Sequence, residues 1–325
     1  MLLLYRLFGC VLLTMSVVTQ AAAADLSQPL PVRNFYPPMM RFFAPTPDSA
    51  LRLYDPSWTF EVNQSLSSIS IMDRYPNPQL LTDMELYVVD GVIRHAFSDH
   101  LEFTMRTPVL RPFNGVFDGA IKGFHDMLGI AVGGRRMRPN NSFAYAFDNG
   151  RGTAWQGRSQ WELGNIELSG RYSLIAGDDW GVAALAAVKL PTASRARGWS
   201  SGSPDLALGA VLSWRLGSWF THTEGWVIEP LLKHEPGISY STYLQGSFVV
   251  GYRFDTLALI VQAQGGGSPY HAANVSDLGL SPLLVSVGLR GQIAGATGWT
   301  LSVVENVTQK TTQDISLAFG LSWMR

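Results

Sequence analysis

The chain has 325 residues, of which 15% are charged and 11% aromatic, with a formal net charge of −1 and a single cysteine. Ordinary soluble domains carry about 25% charged residues, and a balance this close to zero gives a nucleic-acid partner no electrostatic support. Cys10 lies in a leader, so a disulfide framework, a cysteine-ligated metal and a cysteine nucleophile are excluded from the processed chain.

That leader, residues 1–24, sets Arg6 before an apolar run from Leu7 to Val18 and ends on Ala21 to Ala24. This is the pattern of a secretory signal peptide, with cleavage expected near Ala23 or Ala24. Residues 25–57 follow and contain "PLPVRNFYPPMMRFFAPTPDSALRLYDPS", too proline-rich for a helix or a central strand. Phe35, Tyr36, Met39, Met40, Phe42 and Phe43 argue for burial, so the segment is expected either as a plug or cover for a lumen or as a free periplasmic tail.

From residue 58 to 325 the hydrophobicity alternates with period two, one face apolar and one small or polar. Strands are predicted near Trp58–Leu66, Met84–Phe97, Leu101–Val109, Ile166–Leu174, Val182–Leu190, Leu206–Leu216 and Trp219–Leu231. Five more lie near Leu244–Phe254, Leu257–Gln264, Leu283–Gln292, Trp299–Val303 and Asp314–Trp323. After the leader no unbroken apolar run approaches the roughly 18 residues of a membrane helix, whereas a tilted strand needs only about 9–11 to cross. Connections alternate between short, as at Gly217-Ser218 and Asp255-Thr256, and long, near residues 69–83, 111–160, 191–203, 232–241, 267–281 and 308–312.

These features predict an all-β fold: an antiparallel up-and-down transmembrane barrel of about 12 strands, with short periplasmic turns and long external loops. Trp58, Phe97, Tyr172, Trp180, Trp214, Trp219, Tyr252, Phe254, Trp299 and Trp323 all fall at the periplasmic ends, where they would form an interfacial girdle. Glu305 falls on the lipid face, which requires either a place at the outer interface or a bulge after Val303.

The long external loop 111–160 contains "FNGVFDGAIKGFHDMLGI", an amphipathic helix with Phe113, Val116, Phe117, Ala120, Ile121, Phe124, Met127 and Leu128 on one side. Gly115, Gly119 and Gly123 recur every four residues, which favours docking against the inner wall or rim as a constriction or gate. Asp118, Lys122, His125 and Asp126 form its polar side, with His125 and Asp118 as weak candidates for general-base chemistry. No serine follows any histidine by two residues, which counts against a phospholipase-like site, and no metal-ligand cluster or cofactor motif appears.

Arg94, Arg171, Arg215, Arg253 and Arg290 point inward near the periplasmic ends of five different strands. They predict a collar that either favours anions or holds Asp25, Asp48 or Asp55 of the N-terminal segment. Gln245, Gln262, Gln264, Glu167, Ser169, Lys189 and Gln292 would line the rest of the lumen.

At "PLPVRNFYPP", "GVIRHAFSDHLEFTMRTPVLRP" and the Phe-His-Asp helix segment, the chain resembles a domain-of-unknown-function family of Gram-negative outer-membrane β-barrel proteins. The resemblance implies the location and the barrel, and no activity. The resulting expectation is a narrow-range channel or transporter in the outer membrane, limited by the helix of residues 113–130. A lipid-modifying enzyme and a structural or adhesion barrel are the alternatives. Expected partners are outer-membrane lipids and lipopolysaccharide, the latter at the basic tip "GGRRMRPNN", and the barrel-insertion machinery through the C-terminal strand Ile315–Trp323.

Overall fold

A computed structural model describes residues 25–51, 57–74, 79–129, 138–148, 153–273, 276–294, 297–308 and 310–325. Residues 1–24, expected as a signal peptide, and Asp55 lie outside these residues. Twelve long strands make the wall: β1 (Ser57–Arg74), β2 (Gln79–Ala96), β3 (Leu101–Phe113), β4 (Ile166–Ala176), β5 (Trp180–Leu190) and β6 (Asp205–Leu216). The second half is β7 (Trp219–Pro230), β8 (Tyr243–Arg253), β9 (Leu257–Gly266), β10 (Leu283–Ala294), β11 (Thr297–Asn306) and β12 (Ile315–Met324). Each pairs antiparallel with the next, and β12 closes on β1 through ten residue pairs from Thr59–Met324 to Ser68–Ile315. Closure pairs every wall strand on both edges, the condition for crossing lipid with strands.

The alternation resolves into two faces. On β6, Leu206, Leu208, Leu212, Trp214 and Leu216 are exposed on the outside, while Asp205, Ala207, Val211 and Ser213 are buried on the inside. Outward side chains of the other strands are likewise large and apolar, a belt far larger than the apolar patches of a soluble monomer. The girdle aromatics Trp58, Phe97, Tyr172, Trp180, Trp214, Trp219, Phe254 and Trp323 are exposed at the periplasmic rim. Glu305 pairs with Ile315 in unbroken register after Val303–Leu317, so no bulge intervenes and it sits at the outer edge, level with the start of β12.

Two expected loops differ. Residues 69–83 were expected as a long connection, but β1 continues to Arg74 and β2 starts at Gln79, because Ile69, Ile71, Leu80 and Met84 keep the alternation and bury their inner face. Part of the 111–160 loop covers that same extension: Ala144–Asp148 pairs with Asp83–Gln79, and Thr153–Gln156 pairs with Ala146–Asp148. Tyr145, Phe147 and Trp155 thus turn inward over the mouth. A second small sheet, His234–Glu235, Ile238–Tyr240 and Tyr270–Ala273, completes the external cap.

The outward face supplies a test. Val287 lies midway along β10, paired with Val261 and Val303, and is 48% exposed. Val287→Arg is expected to cost about 2–4 kcal/mol in lipid vesicles, read by denaturant unfolding. A change within about 0.5 kcal/mol, typical of a water-facing position, would contradict a lipid-facing wall.

Candidate functional site: an occupied lumen

A cylinder of eight strands is about filled by its own inward side chains, so one of twelve leaves space. Residues 25–51 occupy it, as a strap that rises from the periplasmic mouth to the external cap and returns. Prolines at 29, 31, 37 and 38 deprive it of donors, so apart from local turns and the single helical turn that Pro37 opens, its backbone groups bond to the wall.

On the rising arm, Arg290 donates to the Gln28 carbonyl (3.1 Å) and the Pro29 carbonyl (2.6 Å), and Arg215 donates to Ser27 Oγ (2.6 Å) and approaches Asp25 (3.4 Å). Higher up, the Leu30 amide donates to Gln262, Arg33 makes a bidentate pair with Glu167 (2.6 and 3.0 Å), and the Phe35 amide donates to Gln313 (2.8 Å). The one-turn helix α1 (Pro37–Met40) forms the apex. On the returning arm the Phe43 amide donates to Asp205 (2.7 Å), the Asp48 amide to Glu224 (2.9 Å) and the Ala50 amide to Ser213 Oγ (2.7 Å). Arg171 donates to the Ser49 carbonyl, and Asp48 lies 3.4 Å from Arg94 and 3.7 Å from Arg171.

His222 joins the two arms. Its Nε2 is 2.6 Å from the Ser27 carbonyl and its Nδ1 is 2.7 Å from Ser213 Oγ, the atom that accepts from Ala50. A carbonyl can only accept, so the proton is assigned to Nε2 and the serine hydroxyl donates to Nδ1.

Arg41 latches the apex. It is almost fully buried, makes a bidentate pair with Glu235 (2.9 and 2.8 Å), donates to Tyr240 Oη (3.1 Å) and the Ser200 carbonyl, and lies 4.1 Å from the Trp155 ring centroid. Lys189, equally buried, donates to the Arg41 carbonyl (2.8 Å) and pairs with Asp205 (3.0 Å). Phe42 packs against Tyr240 and Tyr270, and each such aromatic taken from water contributes about 1.5–3 kcal/mol. Burial raises the Tyr270 hydroxyl to about 12, so it stays a neutral donor to the Pro38 carbonyl (2.9 Å). Burial alone would also raise the Glu235 carboxyl, but the Arg41 charge and the hydrogen bonds from Tyr240 and Arg41 hold it below its ordinary 4.5.

Of the expected collar, Arg94, Arg171 and Arg290 meet at one cavity of about 110 Å³ at the periplasmic mouth, with Asp25, Asp48, Glu61 and Glu102. Arg94 bridges Glu61 (3.0 Å), Asp48 and Glu102, and Arg253 instead donates to the Gly217 carbonyl in the β6–β7 turn. A smaller cavity of about 40 Å³ continues upward beside Phe43 and Pro45, lined by Arg106, Glu167 and Ser169, and shares Thr46, Asp48, Arg94 and Arg171 with the first. Sequence reading missed Arg33, Arg41, Asp205, His222, Glu224 and Glu235. Two arginines inside an aromatic, proline-rich segment were the signal that it docks in a polar channel.

The loop helix was expected against the inner wall or rim. It runs Asp118–Leu128 as α2 and is tied to the other side of the wall. Glu85 accepts from the Val116 (2.8 Å) and Phe117 (2.6 Å) amides, and along β2 it has the parity of Ile93, which is exposed on the outside. Gly115 is needed there: its φ is +74°, and a Cβ would lie 2.5 Å from the Glu85 carboxylate. Among the described residues nothing lies within 4 Å of a Cβ placed on Gly119 or Gly123, so this ridge docks on none of their backbone. The Asp118 carboxylate accepts from the Asn141 amide (2.7 Å) and Lys122 donates to Asn140, while the His125 side chain lies outside the described residues. Asp126 is exposed at the end of the helix. Of the basic tip, residues 133–137 also lie outside the described residues, and Arg138 pairs with Asp83.

The fold has counterparts. The COG4313 outer membrane channel from Pseudomonas putida F1 is similar at a TM-score of 0.56 and 10% identity, over 86% of this chain and 100% of that one. The NanC porin is similar at 0.50 and 8%, over 81% and 98%. Likeness at such identities shows a shared outer-membrane barrel fold. The family described as "Protein of unknown function (DUF3187)" matches residues 7–324, and no curated protein matches the chain.

The latch gives the next prediction. Arg41→Ala removes the buried partner of Glu235, leaves only the exposed Arg195 (3.0 Å) as a cation facing it, and is expected to weaken strap docking by about 1–3 kcal/mol. The measurement is faster amide exchange at Phe42 and Phe43 with the wall strands unchanged. A depressed carboxyl stabilises fully above its unfolded value and loses that contribution as pH falls through the lower folded one, so protection at these amides should fall below pH 4.5. Glu235→Gln should blunt that acid limb, and protection indifferent to all three changes would show that the cap does not hold the strap.

Proposed function

The chain belongs to the DUF3187 family, and we propose that it is an outer-membrane channel for small polar solutes, closed by its own strap of residues 25–51. The observation that carries this reading is the chemistry of the strap's seat. Outside the aromatic apex, and apart from an apolar cluster of Leu30 and Val32 with Phe220, Val249 and Ile260, both arms are held by hydrogen bonds and ion pairs to wall residues, including Arg290, Gln262, Glu167, Asp205, Glu224 and Ser213. Such links exchange with water for a net of about 0.5–1.5 kcal/mol each, so a lumen sealed this way can be re-wetted. A barrel serving only as scaffold or adhesin has no need of a removable polar seal.

The two neighbouring cavities mark where opening starts: the larger lies between both arms at the periplasmic mouth, and the smaller lies along β2–β4 beside the returning arm. The strap, rather than α2, is the constriction in this reading. Its departure frees Arg171, Arg215 and Arg290 and leaves Arg94 only its wall carboxylates, biasing the open lumen toward anions. The signal peptide and the lipid-facing wall support the outer membrane of a Gram-negative bacterium as the location. Lipopolysaccharide phosphates at the basic tip and barrel-insertion machinery at Ile315–Trp323 are the partners proposed with it.

Planar-bilayer recording tests this. The intact protein is expected to conduct little, and an Arg41→Ala, Asp48→Asn double variant to open more often, with chloride preferred over potassium. Replacing Arg215 and Arg290 in that background should reduce the preference. An absence of conductance in every variant, with the barrel correctly folded, would overturn the channel reading.

A further inference from the structure

Helix α2 leaves part of its apolar stripe uncovered. On a soluble protein an amphipathic helix buries its apolar stripe and shows its polar side. Here Asp118 is buried against the Asn141 amide and Lys122 bonds Asn140, while Phe117 and Ile121 are half-buried and Asp126 is exposed. Val116, Ala120, Gly123 and Met127, spaced four, three and four apart along one face, are all exposed. Val116 is 67% exposed and Met127 74%.

The position of the helix explains this. The insertion leaves the wall after Phe113, which pairs with Glu85, and rejoins it at Ala144, which pairs with Asp83. Glu85 holds its start, and Asp83 holds its end through Arg138 and Ser142. Both carboxylates have the outward parity of β2, so the insertion lies on the outer surface of the barrel. Its level is fixed by the row Glu85–Ser68–Ile315, where β12 begins. Tyr87 and Trp161, one row lower, meet edge to face at 6.3 Å. Trp161 and Leu163 are exposed beside them, and Arg111, opposite Tyr87, presents a cation on the same face.

We propose that α2 lies in the outer leaflet, with Val116, Ala120 and Met127 at the headgroup–acyl boundary of the surrounding lipid and Tyr87 and Trp161, one row lower, at the top of the acyl region. The stripe is continuous with the lipid-facing wall below it, which is what selects lipid as the occupant. A helix that finds a membrane from water needs many lysines and arginines. Glu85 tethers its start to the wall and the insertion that carries it rejoins the wall at Ala144, which replaces electrostatic capture and explains its low charge. It serves as an outer-leaflet anchor beside the mouth, independent of the strap.

The processed chain has no cysteine, so single-site labelling is direct. Val116→Cys and Met127→Cys, each carrying an environment-sensitive fluorophore, are compared in lipid bilayers with Arg195→Cys, an external-loop position with a 55% exposed side chain. Labels at Val116 and Met127 are expected to emit at shorter wavelength, lose most of their emission to lipids brominated near the headgroup end of the chain, and resist aqueous iodide. The Arg195 label should behave in the opposite way. Iodide quenching at Val116 and Met127 equal to that at Arg195 would place the helix in water and overturn the proposal. Protection from both quenchers that appears only at high protein-to-lipid ratio would also overturn it, in favour of a second copy of this chain.

Discussion

A closed twelve-stranded wall is wider than its inward side chains can fill, and that excess of space governs the rest of the molecule. The interior has to be either water or chain. Here it is chain, supplied by a segment whose prolines remove amide donors and leave it only local turns and one helical turn of its own. The wall answers with side-chain donors and acceptors at successive heights: Arg290 at the mouth, Gln262 midway, and Glu167, Lys189 and Asp205 in one row beneath the apex. An apolar lumen would have left those strap carbonyls and amides unsatisfied, at a cost of about 1–3 kcal/mol each. The polar interior and the proline-rich strap therefore require each other.

Two solvents meet across one wall thickness. Period two sends Leu206, Leu208 and Leu212 outward and Asp205, Ala207 and Ser213 inward within one strand. The same rule accounts for α2, whose attachment to outward-parity carboxylates carries it onto the lipid side. It also accounts for the cap, where Tyr145, Phe147 and Trp155 extend the inward face of β2 over the mouth. Closure at the top is thus apolar and aromatic around the buried Arg41–Glu235 and Lys189–Asp205 pairs, while closure along the shaft is mainly polar, with one apolar cluster of Leu30 and Val32 against Phe220, Val249 and Ile260. The two ends of the strap are therefore sensitive to different perturbations: acid acts on the Glu235 latch, and competing polar solutes act on the returning arm.

The wall was legible in the sequence because alternation is a local signal repeated twelve times, and the girdle aromatics fixed which strand ends share a rim. The five inward arginines were legible for the same reason. What they bind was not, since Ser27, Gln28 and Ser49 reach them only through the global path of the strap. Placement of α2 failed because a four-residue glycine spacing says that a close approach is possible and not where it occurs. The deciding contact, Glu85 with the Val116 and Phe117 amides, lies 31 and 32 residues away in sequence. The extension of β1 and β2 past residue 68 was missed because its covering strands lie inside a stretch read as loop.

The most direct measurement of strap occupancy is a disulfide formed in native membranes. The Ala50 amide lies 2.7 Å from Ser213 Oγ on β6, whereas Ala318 faces inward on β12, six strands away around the wall. An Ala50→Cys, Ser213→Cys pair in the otherwise cysteine-free processed chain should cross-link rapidly within one molecule under mild oxidation, and an Ala50→Cys, Ala318→Cys pair should not. Equal rates for the two pairs, or no bond in either, would mean that the returning arm does not rest where the lumen chemistry holds it.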